Sequence, residues 1–373
     1  SISDYYNKDK YNFLPYLWTS AYGLQSLIKE KKPHSLIKKY ISQVHTILGT
    51  FENINLAIKM KPNLKWFQNL SHQKQELLNE SVKGLKNIKG GLRIGKDEQG
   101  LDPGIYLHYI TKWVYSLIVA SKHLKNPKYL YLACQLMLTL CEKNIDTRSD
   151  GTAYYPRKMD VFLLSPLQKN EISHDPLDVF ITLSTLLINL KYLYHKQTPT
   201  ITLYINLLTS MLENNIPRII EYIHNPKRLN TSDPLGLGFL LVSCLKIRLI
   251  IEYKIFDNEF TYKLYELLLK QSRISLNKIQ FNTYNINNDA YRWYGLCIGL
   301  EAIKILDNYY INKKFNDKNN KNVKIIFQYY RMKNNIISNF KRYSYNKGNW
   351  NGHKDINIVM FLNTEFPIVS IIN

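Results

Sequence analysis

The chain has 373 residues, 45% of them hydrophobic, with 50 Lys and Arg against 29 Asp and Glu for a formal net charge of +21. That is ample apolar material for a sizeable core, and it excludes a disordered chain. The charge invites a nucleic-acid reading. The basic residues, however, are dispersed among Asn, Ile and Tyr, as in the amino-acid drift of an AT-rich genome, and this argues against specific nucleic-acid binding.

No uninterrupted apolar run reaches the roughly 18 residues of a membrane helix, so no membrane span is expected. The opening Ser1-Ile2-Ser3-Asp4-Tyr5-Tyr6 lacks the basic start and apolar core of a secretory signal, which predicts a cytoplasmic protein. Cys134, Cys141, Cys244 and Cys297 fall inside apolar segments without CxxC pairing, so buried thiols are expected, with neither disulfides nor a zinc site.

Apolar residues recur at three and four along almost the whole chain. Helices are predicted over 15–29, 35–50, 105–123, 127–143, 176–195, 200–222, 234–254, 258–274, 289–308 and 323–340, with a short last one at 355–363. No strand series separates them. Paired in order, they give αα-hairpins over 15–50, 105–143, 176–222, 234–274 and 289–340, and the last helix can close a ring. The expectation is an all-α chain whose helical hairpins form a single ring-closed domain over 1–373. Longer segments near 83–104 and 147–174 are expected to cover its pocket. The Asn-rich basic stretch from Lys313 to Asn322 reads as a solvated loop.

Acidic residues recur near helix starts, at Asp102, Asp175, Asp233, Asp289 and Asp355, with spacings of 73, 58, 56 and 66 residues. Three of them precede Pro, at 102–103, 175–176 and 233–234. Asp accepts the free N–H groups of a first turn and Pro needs no donor there, so capping is the simpler reading of any single one. Two clusters hold more than a cap requires. His174 and Asp178 flank Asp175, and His353 and Asn357 flank Asp355.

Other polar groups point to a pocket rim. The loop Gly90-Gly91-Leu92-Arg93-Ile94-Gly95-Lys96 carries two cations that can wrap an anion or a sugar. After Asp102, His108 and Lys112 form an i, i+4 pair among Tyr106, Tyr109 and Trp113. The segment Tyr154 to Asp160 holds Arg157 among aromatics, and Tyr291-Arg292-Trp293-Tyr294 repeats that mixture. Rings stack on sugar faces and charged groups grip hydroxyls, so an oligosaccharide or anionic sugar is the partner these rims suit. No GxSxG elbow, HExxH helix or Walker loop is present, and no cofactor or metal is implied. Nothing in the sequence sets the oligomeric state.

Gly90 to Lys96, Leu107-His108-Tyr109-Ile110-Thr111-Lys112-Trp113, His174-Asp175-Pro176-Leu177-Asp178, Gly236-Leu237-Gly238-Phe239-Leu240-Leu241-Val242 and His353-Lys354-Asp355-Ile356-Asn357 together resemble a bacterial family related to the six-hairpin glycosidases. The match runs in order from about Tyr40 to the end, and departs at Phe162, Leu164 and Ser165, where that family carries polar and basic residues. The resemblance implies an (α/α)6 toroid but no assigned reaction.

A glycosidase needs two carboxyl groups flanking the scissile bond, and Asp175 or Asp178 opposite Asp355 would supply them. For epimerisation or elimination, His108, His174 and His353 would carry protons instead. Arg93, Lys96 and Lys112 would neutralise a uronate, with Asp102, Arg157, Arg292 and Asn357 contacting the rest of the substrate. The contrasting expectation is a non-catalytic toroid that binds a glycan or protein.

Overall fold

The computed structural model describes residues 15–49, 64–85, 92–97, 100–102, 104–193, 197–279, 281, 290–313, 318–347 and 354–365. Most of them are helical, and they fall into two compact units, Ser1–Ile219 and Ile220–Asn373.

The first unit contains α1 (Leu17–Lys29), α2 (His34–Leu48), α3 (Lys65–Gln68), α4 (His72–Ser81), α5 (Leu107–His123), α6 (Lys128–Lys143) and α7 (Asp175–Ile188). A π-helical turn, Asn189–Leu193, extends α7, and α8 (Pro199–His224) carries the boundary between the units. Helix α5 is the central element. It packs against α1, α6 and α7 and buries almost every residue from Tyr109 to Ser121. A helix apolar on all sides belongs in a core, which explains the lack of a polar stripe beyond its second turn.

Three short antiparallel pairs, β1–β2 (Gly95–Asp97 with Gly100–Asp102), β3–β4 (Asp146–Thr147 with Ala153–Tyr154) and β5–β6 (Lys158–Met159 with Pro166–Gln168), correct the expectation of a chain without strands. Two- and three-residue strands are too short to show alternation, so periodicity cannot reveal them. They lie within the two segments expected as pocket covers. Ile105 and Met159 exchange backbone hydrogen bonds of 2.9 and 3.0 Å, which ties the 147–174 segment to the entry of α5.

The second unit contains α9 (Pro234–Glu252), α10 (Asn258–Lys278), α11 (Ala290–Asn312), α12 (Lys318–Phe327), α13 (Arg331–Lys347) and α14 (Lys354–Glu365). By length and composition α9 is apolar enough to cross a membrane, although Lys246, Arg248 and Glu252 interrupt it. Leu237, Leu240, Leu241, Cys244 and Ile247 on it are buried, and it packs on α10 and, more extensively, on α11. The α9–α11 crossing is close because Gly238 meets Gly295 and Gly299. A Cβ on Gly238 would sit 2.0 Å from the Gly295 carbonyl oxygen.

The predicted 323–340 helix is two helices, α12 and α13, joined by a 3₁₀ turn over Gln328–Tyr330. Tyr330 donates its hydroxyl to Glu301 at 2.8 Å and Tyr329 donates to Asn277 at 3.0 Å. These tertiary anchors hold the 3₁₀ turn. All four cysteines are buried and free, as expected.

Candidate functional site

The recurring acids divide by local chemistry. Asp233 is a cap, accepting from Gly236 N at 3.0 Å, and its second oxygen accepts from Arg292 at 2.9 Å. Asp102 caps no helix, since α5 begins five residues later. It holds Gly104 N at 2.7 Å and Lys158 Nζ at 2.8 Å. Asp289 and His353 lie outside the described residues, and so do the side chains of Lys96 and Asp355.

Asp175 does something else. It stands at the first position of α7, its backbone N–H goes to Ile172 O, and its side chain is wholly buried. Neither carboxyl oxygen has a hydrogen-bond partner among the described residues. An enclosed carboxyl without partners is costly as an anion. Burial therefore pushes it well above the ordinary carboxylate range, reinforced by the Asp178 and Glu171 charges and opposed by Lys112 and Arg157.

Helix geometry brings the partners to it. His108 and Lys112 lie one turn apart on α5, and Asp175 and Asp178 one turn apart on α7, so packing α5 on α7 makes two rungs. In the inner rung His108 Nδ1 lies 3.6 Å from Asp175 Oδ1. In the outer rung Lys112 Nζ donates to Asp178 Oδ2 at 2.8 Å. Burial pushes the His108 imidazole down to about 3, against the opposing pull of Asp178 and with Lys112, Arg157 and His174 adding to the drop. Since 21% of the His108 side chain is open, the burial effect is partial, and its direction gives a neutral ring at neutral pH.

Nδ1 is enclosed and unbonded, whereas Nε2 is not among the enclosed unpartnered atoms. With a protonated Asp175 beside Nδ1, the matching tautomer carries its hydrogen on Nε2, toward the open side.

Aromatic rings frame this histidine. Tyr106 stacks on it at 5.4 Å between centroids, Tyr109 meets it edge-on at 4.7 Å, and Trp18 stands 6.1 Å away. The Tyr16 and Tyr109 hydroxyls bond to each other. Burial, with the Asp178 charge second, pushes the Tyr22 phenol well above its usual range.

The start of α7 is anchored from α8. Asn215 donates to Pro176 O at 3.1 Å and accepts from the Tyr155 hydroxyl at 2.8 Å. Glu171 fixes the 147–174 segment through Arg148 at 2.9 Å and Tyr155 N at 3.3 Å. Tyr155 lies in the aromatic segment that the sequence marks, whereas Trp18, Tyr22, Glu171 and Asn215 carry no motif in the sequence. Asn215 follows Glu213 and Asn214 in a polar stretch, so nothing in the sequence distinguishes it from its exposed neighbours.

His174 occupies the N-cap position of α7 without a capping side-chain bond. Arg157 is exposed, and its charge acts on both His108 and Asp175. Arg93 donates to Ile47 O at 2.9 Å, so it holds the chain together there. In the second unit Asn357 accepts from Tyr291 N at 2.7 Å at the start of α11. Thus His108, Lys112, His174, Asp175 and Asp178 cluster with Arg157, while Asp233, Arg292, Asn357 and Asp355 belong to the other unit. Among the described residues no group of three His, Cys, Asp or Glu is arranged to hold a metal ion.

The outer rung should matter for stability. Its side chains are only 14% and 15% exposed. Lys112→Met strands the Asp178 carboxylate and is expected to cost about 3 kcal/mol in urea unfolding. Pairing it with Asp178→Leu should recover most of that loss, and a double variant no more stable than the single one would contradict the assignment.

No family model matches the chain, and no curated protein does. Among solved structures the chain is similar to "Crystal structure of unsaturated glucuronyl hydrolase specific for heparin", with a TM-score of 0.30 and 12% identity over 68% of this chain and 72% of that one. A likeness that slight assigns no residue and no reaction. The site is therefore read from its own chemistry.

Proposed function

We propose that the first unit is carbohydrate-active and cleaves a glycosidic bond by general-acid chemistry, with His108 as the proton donor. The observation carrying this reading is the enclosed, unbonded Asp175 carboxyl directly behind His108 Nδ1. The ring gives its Nε2 proton to the departing sugar oxygen. Asp175 reloads Nδ1 with its own proton, so the pair goes from neutral to singly negative as the C–O bond breaks. Water adds to the anomeric carbon, and the proton it releases returns the pair to neutral. Asp175 has no surface of its own for a substrate, so its part is to position and reload His108. Asp178 is engaged by Lys112, which favours this donor over a pair of carboxylates both reaching the sugar. The aromatic frame suits a sugar face, and the Arg157 charge suits an acidic group on it. Arrangement of the hairpins as an (α/α)6 ring is part of the same proposal.

The test is a turnover screen on neutral and uronate-containing oligosaccharides. His108→Gln is expected to lower kcat by about 10²–10⁴-fold while leaving KM near its original value, as for loss of a general acid. Asp175→Asn should move the pH profile of kcat more than KM. Unchanged turnover in His108→Gln removes His108 from this role. Saturable sugar binding without turnover in the unaltered protein would favour the non-catalytic toroid.

A further inference from the structure

The second unit has a groove of about 460 Å³ along the outer side of α10, bordered by the start of α12 and the end of α8. Its walls carry four cations, Lys263, Lys270, Arg273 and Lys318, against one acid, Glu266. Lys263 is paired with Glu259 at 2.7 Å, and Lys318 stands 3.7 Å from Glu266. Lys270 and Arg273 are exposed and make no ion pair or side-chain hydrogen bond among the described residues. The floor is apolar. Leu267 lies there half-buried, and Ile223 leaves 37% of its surface open.

Lys263, Lys270 and Arg273 lie on one face of α10. At about 1.5 Å per residue they span roughly 15 Å, some three turns of helix. One small anion cannot engage cations so far apart. An aliphatic floor between charged walls offers no ring on which a nucleic-acid base could stack. It fits the apolar stripe of a short amphipathic helix whose flanks carry carboxylates. The planar fork of Arg273 matches a carboxylate in two parallel hydrogen bonds, and the net charge of +21 draws an acidic partner in from a distance.

We propose that this groove docks an acidic amphipathic helical segment of a partner protein, with Ile223 and Leu267 receiving its apolar stripe and Lys270 and Arg273 its carboxylates. This use is separate from the chemistry of the first unit.

Fluorescence anisotropy on the full chain tests it. The probe is a labelled 14-residue peptide with Leu at every third or fourth position and Glu elsewhere. Saturable binding is expected, and it should weaken as salt rises. Lys270→Glu and Arg273→Glu should each weaken it by about tenfold or more, because like charges would then face across the interface. Ile223→Gln, an exposed change that keeps the charge, should also weaken it. Circular dichroism will show that these surface variants remain folded. No binding, binding indifferent to Ile223→Gln, or equal binding by a Gln-for-Glu peptide would each overturn the proposal. So would equal binding by a single-stranded oligonucleotide of the same charge, which would make the groove a general polyanion surface.

Discussion

Gly238→Ala should be among the most damaging single-methyl changes in the second unit. The added carbon would stand 2.0 Å from the Gly295 carbonyl oxygen and 2.4 Å from its carbon. Both are backbone atoms, so no side-chain rotation relieves the clash, and α9 and α11 must separate along the most extensive helix contact of the unit. Forcing extra volume into a packed core typically costs about 1–3 kcal/mol and sometimes more, and this contact belongs at the upper end. For a unit of this size each kcal/mol lowers Tm by about 2–4 °C, so a fall of roughly 6–12 °C is expected. Gly236→Ala is the control. Its new carbon would meet only side-chain atoms, the Thr231 hydroxyl at 3.2 Å and Asp233 Oδ2 at 3.4 Å, and should cost far less. Differential scanning calorimetry of the two variants checks this, and equal Tm values would refute the close crossing.

The helices of the fold were legible because burial on one or all sides of a helix leaves its period in the sequence. The predicted ranges for α1, α2, α5, α6, α8, α9 and α14 lie within a few residues of those found. What the period could not give was anything decided by distant residues. Helix α4 is mostly polar, burying Leu78 alone, and is tied down by Ser81 bonding to the Tyr204 hydroxyl at 2.8 Å. No apolar stripe marked it. The Asp-Pro signal likewise carried one meaning in the sequence and three in the structure. At Asp233 it is a cap, at Asp102 an ion pair with Lys158, and at Asp175 a buried carboxyl beside His108. Capping depends on the torsions of the preceding residues and on what else the carboxylate can reach, and neither is written in two letters. The i, i+4 spacing of His108 and Lys112 and the i, i+3 spacing of Asp175 and Asp178 were legible; that the two pairs meet was not.

Asp175→Asn is expected to make the first unit more stable than the unaltered protein at neutral and alkaline pH, by a margin that grows with pH. In the unfolded chain Asp titrates near 3.9 and His near 6.5. In the folded protein the Asp175 carboxyl is held well above that range and His108 below its own. Between about pH 3.9 and 6.5 the folded pair holds one proton, on Asp175, and the unfolded pair holds one, on His108. Their effects on stability cancel in that window. Above about 6.5 the unfolded pair holds none and the folded pair still holds one, so stability falls with pH by up to about 1.4 kcal/mol per unit until Asp175 ionises. The stability associated with Asp175 is thus full below about 3.9 and lost as pH rises toward its folded value. An amide at 175 has no proton to release. In that variant only the His108 contribution remains, present above about 6.5 and lost as pH falls toward the depressed folded value. The difference between the two proteins should widen from pH 6 to pH 8 by up to about 1.4 kcal/mol per unit, measured by urea unfolding at each pH. Parallel stability curves would mean that Asp175 is already ionised in the fold, and the proton that reloads His108 would have to come from elsewhere.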